Sequence, residues 1–413
     1  MDKSQINEQW LDKNFFKKDI NQIGLNFISQ FCGYYGISIH AQKLATGLQS
    51  IFVMSKYNYS KGEDDLYNRP VLETVNTLKF INDKLIFKQI SPQPLENMNY
   101  ALSNRYNNTL CNSNNNLIFW YPDSYYRPNK NKTIGYYIFE YDIIPTSYIE
   151  FINKLDGIVT ASKWGKQVLI DNGIKIPIGI SQVGYNNRLT DVVSYAISTI
   201  RNSDSKYRFL HFGKAERRKS TEKLIRAFNE EFKNDPNIEL VLSIWNHHIP
   251  NFNPYTYIKN LNLKYGIDNI VILPDKINNY TKNFLLKKCD CAIYPSCAEG
   301  IGLPIVEAIE YELPIITCYN TGITEYINKD ENMALLIDNL EEKPVYDPYF
   351  FPNEGEYGFW LEPSIDEIRK AMNYAYNNQE DMTVKAINAN KFLLNNFSWE
   401  KSAQSILDFF DEI

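Results

Sequence analysis

The six cysteines (Cys32, Cys111, Cys289, Cys291, Cys297 and Cys318) include no C-x-x-C pair, so the usual zinc and dithiol spacings are missing. Cys289 and Cys291 flank Asp290 in a strand pattern, which turns both thiols the same way as core side chains. A reducing compartment is the simplest setting for such thiols. No run approaches the ~20 apolar residues of a spanning helix. The opening MDKSQINEQWLDKNFFKKDI has neither an apolar h-region nor a cleavage pattern. The expectation is a cytoplasmic chain with no transmembrane segment, with peripheral membrane contact left open. Net charge is small as well: 43 basic against 49 acidic residues leave −6. That balance argues against nucleic acid as a partner but allows a local basic pocket. No internal repeat occurs, and the one biased segment, CNSNNN, reads as a loop.

What is present is a long alternation of apolar runs and helical periods. At 413 residues the chain exceeds one ordinary core, and 44% hydrophobic content fits a globular protein. QIGLNFIS, LIFWYP, TIGYYIFEY and DGIVTAS read as strands, with helical patterns in IHAQKLATGLQSI and SYIEFINKL. A second series follows: YRFLHFG, the helix TEKLIRAFNEEF, IELVLSIW, IVILPD, the helix NYTKNFLLKKC, CAIYPS, the helix LPIVEAIEY and LPIITC. Strands separated by helices of this length indicate parallel β-α-β units. The polar segment GYNNRLTDVVSYAISTIRNSDSKYR divides the two series. The fold class is therefore α/β, with two doubly wound domains whose ligands collect at the carboxyl ends of the strands.

One stretch concentrates the chemistry. In SCAEGIGLPIVEAIEYELPIIT, residues 296 to 317, a buried strand ends at Ser296 and a Gly-x-Gly loop leads into a helix opened by Pro304. Glu299 falls in the loop and Glu307 about one turn into the helix. Gly300 and Gly302 permit close backbone approach, and free N–H groups at a helix start attract an anion. Carboxylates on both sides suit hydroxyls, so the combination fits a nucleotide sugar with its ribose, diphosphate and hexose. Two isolated glutamates would ordinarily be surface charge; the glycines and the strand before them favour the ligand reading.

PSCAEGIGLPIVEAIEYELPII resembles the E-x7-E region of retaining glycosyltransferases of the GT-B fold, family 4. FLHFGKAERRKSTEKLIRAF resembles that family's strand, basic loop and helix, and GLNFISQFCGYYGISIHAQKLATGL its N-terminal glycine loop. The segment from IGYYIFEYD to SQVGYN resembles bacterial members that modify surface polysaccharides. The resemblance implies two Rossmann-like domains facing across a cleft: residues 1–187 for the acceptor, 188–394 for the nucleotide sugar, and 395–413 as a helix crossing back. It implies that Glu307 holds the ribose, Glu299 the transferred sugar and Lys219 the diphosphate. It implies transfer of a hexose-type sugar, with retention, from a nucleotide-diphosphate sugar to a glycan, polysaccharide or glycoconjugate acceptor. A sugar-nucleotide epimerase or hydrolase of the same fold, or a non-catalytic nucleotide-sugar-binding partner, is the alternative.

The chain departs from the family pattern in places. Lys214 follows Gly213 where the family has Arg, so Arg217 or Arg218 is expected to supply the second phosphate contact. Glu312 stands where a glycine usually ends the helix, which costs a left-handed non-glycine residue. NHHIP replaces a glycine loop on the base side. His247 and His248 are adjacent and cannot share a metal in helical spacing. His40 and His211 read as structural, and Trp360 and Trp399 as packing residues. Gly33 and Gly36 either approach the diphosphate or acceptor or simply make a turn. No Asp-x-Asp pair offers to hold a divalent ion, so the reaction is expected to need neither metal nor cofactor beyond its nucleotide-sugar co-substrate. On the acceptor side, Glu140 is expected at the carboxyl end of the TIGYYIFEYD strand, opposite Glu299, as the third catalytic group. An interface ion pair is the alternative role for Glu140, and Asp142 is the rival carboxylate.

Overall fold

Short strands built almost wholly from Ile, Val, Leu, Phe and Tyr are too apolar to leave one face in water, and they form parallel sheets covered on both sides. The computed structural model describes residues 25–29, 40–41, 43–44, 79–81, 84–86, 115–127, 130–185, 206–275, 277 and 279–413. The first sheet consists of β1 (Leu25–Ser29), β4 (Asn115–Phe119), β5 (Thr133–Tyr136), β6 (Gly157–Thr160) and β7 (Ile178–Ile180), in the order β1-β4-β5-β6-β7. All its pairings are parallel. β2 (Lys79–Ile81) and β3 (Lys84–Ile86) form a separate antiparallel pair. Helix α1 (Thr146–Ile152) connects β5 to β6, and α2 (Lys163–Asp171) connects β6 to β7. Ser162 caps α2 by accepting from the Gly165 N–H.

The second sheet contains β8 (Tyr207–Phe212), β9 (Ile238–Ser243), β10 (Ile270–Ile272), β11 (Cys291–Tyr294), β12 (Ile315–Cys318) and β13 (Leu335–Ile337). Its order is β10-β9-β8-β11-β12-β13, parallel throughout. Counting from β8, this is the 3-2-1-4-5-6 order of a Rossmann sheet. Helices α3 (Thr221–Phe232), α4 (Pro254–Asn260), α5 (Asn279–Lys288) and α6 (Leu303–Ile309) make the crossovers. An antiparallel hairpin follows, β14 (Leu340–Pro344) with β15 (Phe359–Pro363), and then α7 (Ile365–Asn377) and α8 (Gln379–Asn396). Two doubly wound domains thus face each other across a cleft.

Helix α9 (Trp399–Glu412) buries Trp399, Ala403, Ile406, Leu407, Phe409 and Phe410 on one stripe. That stripe lies on the first sheet. A Cβ on Gly157 would sit 2.8 Å from the Phe409 ring, and one on Gly179 would sit 2.9 Å from it. The Ser181 hydroxyl donates to Ser402 O at 2.8 Å, and Lys132 Nζ donates to Phe410 O at 2.9 Å. Trp399 and Trp360 are both buried packing residues. Among the described residues, no helix is long and apolar enough to cross a membrane.

One element departs from the sequence reading. The composition of TIGYYIFEY predicts a single strand, but β5 stops at Tyr136. Its neighbours end there too, with Tyr136 opposite Phe119 and Val159, and after Tyr137 N–H reaches Val159 O no ladder partner remains. Residues 137–143 run on as a loop. Glu140 therefore sits in a bend four residues beyond the last strand residue, Tyr136, rather than at the carboxyl end of the strand.

Candidate active site

The chain order of the second sheet reverses between β8 and β11, the place where an open α/β sheet leaves a crevice at its carboxyl edge. The loop after β8 carries Lys214, Glu216, Arg217, Arg218 and Lys219; the loop after β11 carries Glu299. A short 3-10 turn, Arg217–Lys219, and Ser220 in the left-handed region (φ 52°) bring the basic loop round into α3. His211, at the end of β8, is fully buried, and its Nδ1–H donates to Ile293 O at 2.8 Å. Burial lowers its pKa to about 4, so the ring is neutral.

Glu299 is 5% exposed and held from several directions. Lys219 Nζ donates to its Oε1, and Arg218 Nη1 donates to its Oε2 at 3.2 Å. Its N–H donates to Thr321 Oγ1 at 2.9 Å, and Gly322 N–H donates to its carbonyl at 2.9 Å. Burial alone would raise the Glu299 pKa; the charges of Lys219 and Arg218 overcome that and hold it at about 2. Arg218 is itself buried, donates to Ala298 O at 2.8 Å, and lies 3.7 Å from Glu140 and 3.6 Å from Glu216. Burial opposes its charge, but Glu140, Glu216 and Glu299 together raise its pKa. Glu216 has its pKa lowered: burial pushes it up, and Arg218 and Lys214 pull it down. A carboxylate from the first domain and two from the second thus share one guanidinium.

The remaining predicted residues divide. Lys214 is partly exposed, 3.4 Å from Glu216, with its ammonium 4.8 Å over the Phe350 ring. Arg217 turns away toward the hairpin, 3.7 Å from Glu362, so Arg218 is the arginine that joins the cluster. Glu307 is buried on α6 and pairs with Lys282 of α5 at 2.7 Å. Gly302 takes φ 77° at the start of α6. A Cβ on Gly300 would collide with Ile138 and come within 2.9 Å of Phe139 O, so its close approach is to the first domain's loop. Gly33 and Gly36 lie outside the described residues. Asp142 does not face the cluster, because its Oδ1 accepts the Phe359 N–H at 2.9 Å.

Sequence reading missed Glu216, Lys282 and the Asn320-Thr321-Gly322 turn. Asn320 Nδ2 donates to Ser296 O and Cys297 O, at 3.0 and 2.8 Å, and so braces the Glu299 loop. The small-residue turn after the LPIITC strand was the available signal. Lys282 had none, since its pairing depends on α5 crossing beside α6.

Facing Rossmann-like sheets, with a basic loop and a glutamate loop meeting at the switch point, make up the architecture of the GT-B fold. Residues 197–343 match the model of the family described as glycosyl transferases group 1. No curated relative matches the chain. Among solved structures, the chain is similar to trehalose 6-phosphate synthase of Burkholderia multivorans (TM-score 0.61, 10% identity, 95% of this chain and 97% of that one). It is similar to sucrose-phosphate synthase of Thermosynechococcus elongatus (0.61, 13%, 94% and 95%). It is also similar to HepE of Anabaena, solved in complex with UDP-glucose (0.57, 13%, 79% and 85%). At these identities the likeness carries the fold.

Proposed function

We propose that the protein transfers a hexose, with retention and without a metal ion, from a nucleoside-diphosphate sugar to a glycan, polysaccharide or glycoconjugate acceptor in the cytoplasm. The observation that carries this reading is the convergence of Lys219 and Arg218 on Glu299 at the switch point, with Glu140 brought to the same guanidinium from the other domain. Breaking a sugar–phosphate bond leaves negative charge on the diphosphate and positive charge on the ring. Preorganised cations lower that barrier where the charge develops. Lys219 and Arg218 serve the leaving group, with Lys214 at the rim, in the role a divalent ion would otherwise fill. Glu299 accepts hydrogen bonds from the transferred sugar, and Glu307, with Lys282 beside it, takes the ribose hydroxyls. Glu140 orients the acceptor hydroxyl or takes its proton. The acceptor attacks from the face the diphosphate leaves, which retains configuration.

A panel of UDP-, GDP- and TDP-sugars tests the reading, and the UDP-glucose bound by HepE makes that donor the first to try. One donor should raise the melting temperature and release its nucleotide slowly in water. Rapid turnover that no acceptor accelerates would favour a hydrolase or epimerase, and binding without turnover would favour a non-catalytic partner. Transfer that is lost in EDTA and restored by Mn²⁺ would overturn the metal-free mechanism.

A further inference from the structure

The loop carrying Glu140 has no ladder beyond residue 137, yet four consecutive residues of it are gripped by the β14–β15 hairpin of the other domain. Trp360 Nε1–H donates to Glu140 O at 2.7 Å. The Tyr141 ring packs edge-on against Tyr357 and Phe351, with centroids 5.1 and 5.8 Å away. Phe359 N–H donates to Asp142 Oδ1 at 2.9 Å, and Ile143 N–H donates to Tyr357 O at 3.2 Å. Gly358, at φ 85°, lies so close that a Cβ would overlap Asp142 Oδ1. The hairpin is also tied to the basic loop and the helix after it: buried Asp347, in the segment between the two strands, accepts the Arg217 N–H at 3.1 Å, and Glu362 of β15 lies 3.2 Å from Lys223 of α3. One hairpin therefore holds the Glu140 loop and the Arg218 loop together.

We infer that the hairpin is a strap that sets the distance between the two halves of the site, with Trp360 and Asp142 as positioning residues for Glu140. The inference rests on the proposed role of Glu140. The 3.7 Å pair with Arg218 is loose, and a displacement of about 1 Å at a reacting group can cost ~10²-fold in rate. Asn172 bonds Asp142 O and the Ile144 N–H, both at 2.8 Å, from within the first domain. The loop therefore stays folded when the strap is released.

The test compares Asp142→Ala, Asp142→Asn, Trp360→Phe and Glu140→Gln by amide hydrogen exchange, UDP calorimetry and release of UDP from UDP-glucose. Asp142→Ala should speed exchange at amides 359 and 143 by about tenfold or more and lower kcat by a similar factor, with UDP affinity unchanged. Trp360→Phe keeps an aromatic ring, though a smaller one, and loses the donor, so it should show the same split to a smaller degree. Asp142→Asn keeps the accepting oxygen and should restore both readouts. Faster exchange with wild-type kcat in Asp142→Ala, or kcat and UDP affinity falling together, would overturn the positioning role. A wild-type rate in Glu140→Gln would instead remove Glu140 from the mechanism. In that case, or if UDP-glucose is not turned over, exchange alone judges the strap, and unchanged exchange in Asp142→Ala would sink it.

Discussion

Glu299 ionises at about 2 in the folded chain against an ordinary value of 4.5. Its contribution to stability is therefore present above about pH 4.5 and is lost as the pH falls toward 2. Thermal unfolding of wild type should weaken through that window more steeply than unfolding of Glu299→Gln; equal slopes would detach this carboxylate from acid stability. Glu307 calls for a different measurement. Its removal should weaken UDP binding by about 1.5–3 kcal/mol, the range for a hydrogen bond to a charged group. Unchanged affinity in folded Glu307→Ala would take the ribose away from it. On the proposed mechanism, Lys219→Ala should lower kcat as well as donor affinity; a raised KM alone would make it a binding residue only. At this scale the sequence was uneven. Glu299 stood out through its glycines, while Glu216 looked like one more charge in a solvated run and Lys282 like an ordinary helix lysine.

Elements were legible where local pattern and packing agree. TEKLIRAFNEEF spans the same residues as α3 because its apolar stripe meets the sheet directly. β5 was overread because Tyr137, Ile138 and Phe139 continue a strand composition after their neighbours have stopped. The hairpin went unseen for a related reason. Phe359 and Leu361 face outward while Trp360 faces the other domain, so its apolar pattern serves a contact that only the assembled fold creates. Glu312 shows the opposite case: the missing glycine was visible in the sequence, and the residue does take φ 47°. Glu312→Gly should relieve left-handed strain of about 1 kcal/mol and raise the melting temperature by a degree or more. A lower value would mean that the Glu312 side chain outweighs its backbone cost.

Across the whole molecule, contacts in several places join the domains. Residues 140–143 meet the strap. Elsewhere, Glu325 accepts the Lys163 N–H at the start of α2, at 2.6 Å, and also a Gln182 amide hydrogen. α9 then returns over β6 and β7. The glycines beneath it, Gly157 and Gly179, make a hollow that the Phe409 ring fills, with the Ile413 side chain beside Gly157. This carries a consequence for the order of events during synthesis. A ribosome delivers β6 and β7 early, then the whole second sheet, and only afterwards the helix that covers them. The part made first is completed last. Until residues 399–412 emerge, the nascent chain presents an open apolar face, the kind of surface that chaperones occupy. Ribosome-bound chains stalled before Trp399 should therefore remain protease-sensitive in the first sheet while the second is already resistant, and simultaneous protection of both sheets would show that β6 and β7 find another cover in the meantime.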